Sequence, residues 1–138
     1  MKYSDKILII EDENNIRRLF GIGASMNGIP ADLAVNGLIA DAFVVVNCVL
    51  GESYPVILTD LNMPMMNGLE FIANVKEKVG AGEILRPEIY VCSGYHEKWF
   101  DIVRELGSNR VFQKPTDIAT LFRDIRQTYD LVRSGKKR

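Results

Sequence analysis

The chain has 138 residues, 47% of them hydrophobic and 25% charged, the size and balance of one globular domain with a sizeable core. Its formal net charge of −1 gives no electrostatic ground for direct nucleic-acid binding or for adhesion to an anionic membrane. Its apolar runs fall far short of the roughly 20 residues a bilayer crossing needs, and Met1 to Asp5 shows no signal-peptide pattern, so a cytoplasmic protein without membrane insertion is expected.

Short apolar runs alternate with longer amphipathic ones, with no repeat or low-complexity linker between them. That alternation is the β-α signature of a parallel sheet wrapped by helices. In chain order, Lys6 to Ile10 reads as a buried strand. Asn14 to Met26 reads as a helix with Ile16, Leu19, Phe20 and Ile22 towards the core, weakened by Gly21 and Gly23. Ala31 to Ala34 is a short strand, and Leu38 to Leu50 a helix in spite of the β-branched run Val44-Val45-Val46. Val56 to Thr59 is a third strand, and Gly68 to Val79 a helix with Leu69, Phe71, Ile72 and Val75 as its apolar set. Residues 88 to 92 form a fourth strand; Glu97 to Leu106 is a helix stopped by Gly107. Arg110 to Phe112 is a fifth strand and Asp117 to Val132 a last helix. Residues 1–132 are expected to form the domain, and 133–138 a disordered basic end. Cys48 and Cys92 sit in apolar segments without CxxC spacing and read as buried, reduced thiols.

Doubly wound parallel sheets bind ligands beyond the carboxyl ends of their strands. Past those ends lie Glu11 and Asp12 after the first strand, Asp60 after the third, Ser93 after the fourth and Lys114 after the fifth. Singly, each has a plain reading: a cap, a solvated turn residue, a surface lysine. Together they place three carboxylates, a hydroxyl and an ammonium on one edge. Clustered acids repel unless a cation is present, and Mg²⁺ suits such oxygen donors. A carboxylate such as Asp60 can attack phosphorus to give an aspartyl phosphate. Lys114 would neutralise charge, and Ser93 would donate a hydrogen bond to phosphoryl oxygens.

The stretches ILIIEDE (7–13), ILTDLNMPMMNGLEF (57–71), VCSGY (91–95) and VFQKP (111–115) resemble the response-regulator receiver family over roughly residues 5–130. The resemblance implies a flavodoxin-like (βα)5 fold, strand order 2-1-3-4-5, working as a signalling phosphoacceptor and not as an enzyme. By position, Asp60 resembles the phosphoacceptor, Asp12 the direct metal ligand and Glu11 the acid that reaches the metal through water. The backbone carbonyl of Asn62 resembles the third protein ligand to Mg²⁺ (or Mn²⁺). Ser93 and Lys114 match the switch hydroxyl and the phosphate-binding lysine, and Pro115 would follow a cis bond. Implied partners are a histidine kinase or histidine phosphotransfer protein upstream, and a downstream protein or fused effector domain. The implied output face comprises the fourth helix, fifth strand and fifth helix.

Two features depart from that pattern. Val111 stands where the family usually has an aromatic switch residue, and the segment Ser93–Gly107 is about one residue short. His96 reads as a solvated loop residue; Met63, Met65 and Met66 read as loop packing. Three other functions fit parts of the pattern. A phosphorylation-independent binding module would usually have lost an acid or the lysine. A haloacid-dehalogenase phosphatase would want an Asp at position 62, which is Asn, and a cap domain. An FMN protein would want a Ser/Thr/Gly-rich loop where this chain has EDENN.

Overall fold

A computed structural model describes residues 1–94, 97–105, 110–114 and 116–135, with the backbone alone for 97–100. Five parallel strands form the central sheet: β1 (Ile7–Ile10), β2 (Ala31–Ala34), β3 (Val56–Thr59), β4 (Glu88–Ser93) and β5 (Arg110–Gln113), in the order 2-1-3-4-5. The helices are α1 (Asn14–Met26), α2 (Gly37–Val49), α3 (Gly68–Gly80), α4 (Glu97–Glu105) and α5 (Ile118–Arg133). Among the described residues no helix is long and apolar enough to cross a membrane.

Strands buried on both faces read as continuous apolar runs, and β1 and β3 are buried at every position. Alternate residues feed two cores. Leu8, Ile10, Ile57 and Val91 pack with Val44, Phe71, Ile72 and Val103 from α2, α3 and α4. Ile7, Ile9, Leu58 and Tyr90 pack with Phe20, Phe122 and Ile125 from α1 and α5.

The α1 face differs from expectation. Phe20, Gly23 and Ala24 are buried, with Ile16 packed against the same core, whereas Leu19 and Ile22 are about half exposed, at 49% and 48%. The inward stripe thus runs through two small residues. The reason lies in α5: a Cβ at Gly23 would come within 2.5 Å of the Phe122 ring, so the helices meet closely only because that position is glycine.

Other differences are local. Lys6 precedes β1 and lies 3.9 Å from Asp32. Helix α2 starts one residue early because the Asn36 side chain accepts from the Ile39 N–H at 2.8 Å, an ordinary N-cap. Cys48 is half-buried and its thiol bonds the Glu83 carbonyl; Cys92 is buried. Lys2–Tyr3 and Glu52–Ser53 form an additional two-stranded parallel sheet. Arg133, expected in the tail, is the last residue of α5, and its guanidinium bonds the Tyr129 hydroxyl at 3.0 Å. Tyr95, His96, Gly107, Pro115 and 136–138 lie outside the described residues.

Candidate functional site

Strand register builds the site. Ile10 pairs with Thr59, so Glu11 and Asp60 leave adjacent strands side by side, and the Asp60 N–H donates to the Ile10 carbonyl at 3.2 Å. Ser93 pairs with Gln113, which puts Lys114 one residue beyond, its N–H on the Ser93 carbonyl at 2.9 Å. All five chemistry-bearing side chains therefore line one cavity of about 490 Å³, with Glu13, Asn62 and Gly94.

Lys114 holds the cavity together. Its ammonium donates to Glu11 Oε1 at 2.6 Å and to Asp60 Oδ2 at 2.9 Å. Glu11 Oε2 takes the Glu13 N–H at 3.1 Å, and Asp60 Oδ1 takes the Leu61 N–H at 2.6 Å. One carboxylate oxygen from each of Glu11, Asp12 and Asp60 lies within 4.8 Å of the others. Glu11 is fully buried, Asp60 nearly so, and Asp12 exposed. Burial, above all, raises the pKa of Glu11, with Asp60 adding to the rise and Lys114 and the Glu13 N–H opposing it. Burial acts to lower that of Lys114, but its bonds to Glu11 and Asp60 outweigh this and raise it. Burial pushes the neighbouring Cys92 thiol up to about 12, so it stays protonated and inert at neutral pH.

Three carboxylates against one ammonium leave a formal excess of two negative charges, and all the donors are hard oxygens. That combination fits a divalent cation of the Mg²⁺ class. The Ser93 hydroxyl is fully buried, lines the same cavity and, among the described residues, has no hydrogen-bond partner. A buried hydroxyl without a partner is costly and suits a ligand that brings an acceptor.

Several further residues position the site, Arg17 and Gly37 from outside the motif stretches and Asn67 and Gly68 from within residues 57–71. Arg17 donates to the carbonyls of Glu11 and Asp12, at 3.0 and 3.5 Å, and to Asn14 Oδ1 at 2.6 Å, fastening the acidic turn. Gly68 starts α3 so close to Asp60 that a Cβ would overlap the Asp60 carbonyl. Gly37 does the same for the Met66 carbonyl, 2.6 Å from where its Cβ would stand. Asn67 caps α3 through a reciprocal capping box with Glu70. Of the loop methionines, Met63 is buried and Met66 packs on the core, while Met65 is exposed with φ at 73°.

The comparisons with known proteins agree with this geometry. Residues 7–126 match the family model described as the response regulator receiver domain. Sporulation initiation phosphotransferase F of Bacillus subtilis is 30% identical over 118 residues, 83% of this chain and 86% of that protein. Response regulator ArlR of Staphylococcus haemolyticus is 28% identical over 120 residues, 87% of this chain; the chain spans about half of that relative's length. Among solved structures, a Francisella response regulator receiver domain superposes with a TM-score of 0.78 at 20% identity, covering 92% of this chain and 98% of that one. A receiver is a signalling phosphoacceptor and not a catalytic enzyme, which sets aside the phosphatase and FMN readings. The chain belongs to the response regulator receiver domain family of two-component signalling.

Proposed function

We propose that Asp60 accepts a phosphoryl group from a histidine kinase or histidine phosphotransfer protein, with a divalent cation bound, and that the new charge changes a partner-binding surface. The observation that carries this reading is Lys114, one ammonium shared between Glu11 and Asp60 in the cavity that all three line. An Asp60 carboxylate oxygen attacks phosphorus, and the bond from phosphorus to the donor's imidazole nitrogen breaks. That nitrogen keeps the electron pair. Glu11, Asp12, Asp60 and the Asn62 backbone carbonyl would hold Mg²⁺ or Mn²⁺, which supplies charge neutralisation when bound. Lys114 neutralises the acceptor side, and Ser93 gives its unpartnered hydroxyl to a phosphoryl oxygen.

The route outwards starts at Ser93, since the Val111 position offers no aromatic swing. Val111 packs on the α2–α4 side of the sheet. Phe112 packs on the other side and stacks on Tyr90 at 6.0 Å, so it cannot stand in. Movement of Ser93 would pull the segment leading into α4. The downstream partner, separate or fused, would meet the α4–β5–α5 face. Beryllium fluoride with Mg²⁺, a phosphoryl mimic, tests this reading: amide resonances of residues 60–62, 93, 94 and 114 should shift together. Unmoved resonances at saturating mimic would reject it.

A further inference from the structure

The turn that carries two of the cavity's acids is not held by an ordinary helix cap. Glu13 precedes α1 in extended backbone, its side chain makes no capping bond, and the first turn of the helix has no acid. The half-buried Arg17, one turn into α1, holds the turn instead. Its Nη1 donates to the Glu11 and Asp12 carbonyls at 3.0 and 3.5 Å, and its Nη2 to Asn14 Oδ1 at 2.6 Å. Its backbone N–H donates to the Glu13 carbonyl at 2.9 Å. One residue thus bonds each of residues 11 to 14.

Glu11 needs little further help, since its two oxygens are fixed by Lys114 and by the Glu13 N–H. Asp12 is exposed, so the conformation of its backbone decides where its carboxylate stands. We propose that Arg17 is a positioning residue that sets the affinity for the divalent cation, a role resting on the cation reading of the cavity. It acts through the backbone of the turn; among the described residues it does not line the cavity. A guanidinium suits the task because its planar fork reaches several acceptors at once, whereas a lysine ammonium is a single point charge. The sign of the effect separates positioning from charge. A fixed positive charge beside the acids repels an incoming dication, so by charge alone losing Arg17 would tighten metal binding. Positioning requires the opposite, a loss of about tenfold, as is usual when a group that orients metal ligands is removed.

Electron paramagnetic resonance of free Mn²⁺, titrated into the whole chain, tests the role. The variants are Arg17→Gln and Arg17→Lys, with Arg126→Gln as control. Arg126 also donates to a carbonyl, that of Asn27 at 2.8 Å, but at the far end of α1. Far-UV circular dichroism checks that each variant is folded. Both Arg17 variants should raise the Mn²⁺ dissociation constant about tenfold, Arg17→Lys included, because lysine keeps the charge and loses the fork. Their deficit in phosphorylation by acetyl phosphate should close as Mn²⁺ is raised to saturation. Arg126→Gln should lower the melting temperature and leave the dissociation constant unchanged. An Arg17→Gln protein that binds Mn²⁺ as tightly as the wild type, or more tightly, overturns the positioning role alone. So does an Arg17→Lys protein with wild-type affinity, an equal loss in Arg126→Gln, or a phosphorylation deficit that persists at saturation. A wild type that leaves Mn²⁺ free overturns the cation reading as well.

Discussion

Glu11 and Lys114 are 103 residues apart in the chain, yet the Lys114 ammonium lies 2.6 Å from Glu11 Oε1. The contact ties the first strand's exit to the fifth's. Glu11 is fully buried, so its charge depends on that one ammonium and the Glu13 N–H.

Lys114→Met should therefore lower stability by about 2 kcal/mol, since removing one partner leaves a buried charge uncompensated, discounted because the lysine is partly exposed. The same loss leaves Glu11 and Asp60 more repulsive, so Mg²⁺ should stabilise this variant more than the wild type. Thermal melts with and without Mg²⁺ check both effects.

Asp12→Ala should remove the stabilisation by Mg²⁺ while leaving the Lys114 contacts in place. A ligand bound only to the folded state contributes about 1.4 kcal/mol at ten times its dissociation constant. Serial additions of Mg²⁺ should raise the melting temperature of the wild type and not of Asp12→Ala. A flat wild-type curve would argue against the metal site.

Two glycines should respond differently to alanine. At Gly68 the new Cβ meets the Asp60 backbone, which cannot move without disturbing the site. Gly68→Ala should cost at least about 2 kcal/mol and reduce phosphorylation. At Gly23 it meets the edge of the buried Phe122 ring, a side chain of the core and not the backbone of the site, and alanine's helix propensity returns up to about 1 kcal/mol. Gly23→Ala should thus be the milder change in denaturant titrations, with phosphorylation intact.

Alkaline pH should destabilise the fold through Tyr54 and Tyr90. Burial raises both phenol pKa values from 10.0; the bond to Asp32 adds to it for Tyr54 and the bond to Asp124 for Tyr90. The unfolded chain then loses these protons first. Their contribution is complete below about pH 10 and declines as pH rises through the folded-state values. Tyr90→Phe should flatten the wild-type slope by up to about 1.4 kcal/mol per pH unit in denaturant titrations above about pH 10. An unchanged slope would mean Tyr90 ionises alike in both states.

Trp99, on α4, should report the output route. Beryllium fluoride with Mg²⁺ should change its emission, and Ser93→Ala should blunt the change. Constant emission at saturating mimic would move the output to another face.

Most of the fold and site was legible because strand ends and motif coincide. Asp60, Ser93 and Lys114 each follow a short apolar run, and parallel register then brings them together. The face of α1 was not legible: hydrophobicity ranks Leu19 and Ile22 above Gly23 and Ala24, and only the approach of Phe122 reverses the order. The strands Lys2–Tyr3 and Glu52–Ser53 are too short for any periodicity to show. Arg17 fastens the acidic turn through backbone carbonyls, which no side-chain pattern records. The valine run in α2 opposes its own propensity, as tertiary context often permits.

Intact-mass measurement after incubation with acetyl phosphate and Mg²⁺ tests the central claim most directly. The wild type should gain a single phosphoryl group. Asp60→Asn should gain none, because its amide oxygen is too weak a nucleophile to attack phosphorus. An adduct that persists on Asp60→Asn would place the acceptor elsewhere. No adduct on the wild type, with Mg²⁺ demonstrably bound, would contradict phosphorylation at this site and favour a binding module that works without it.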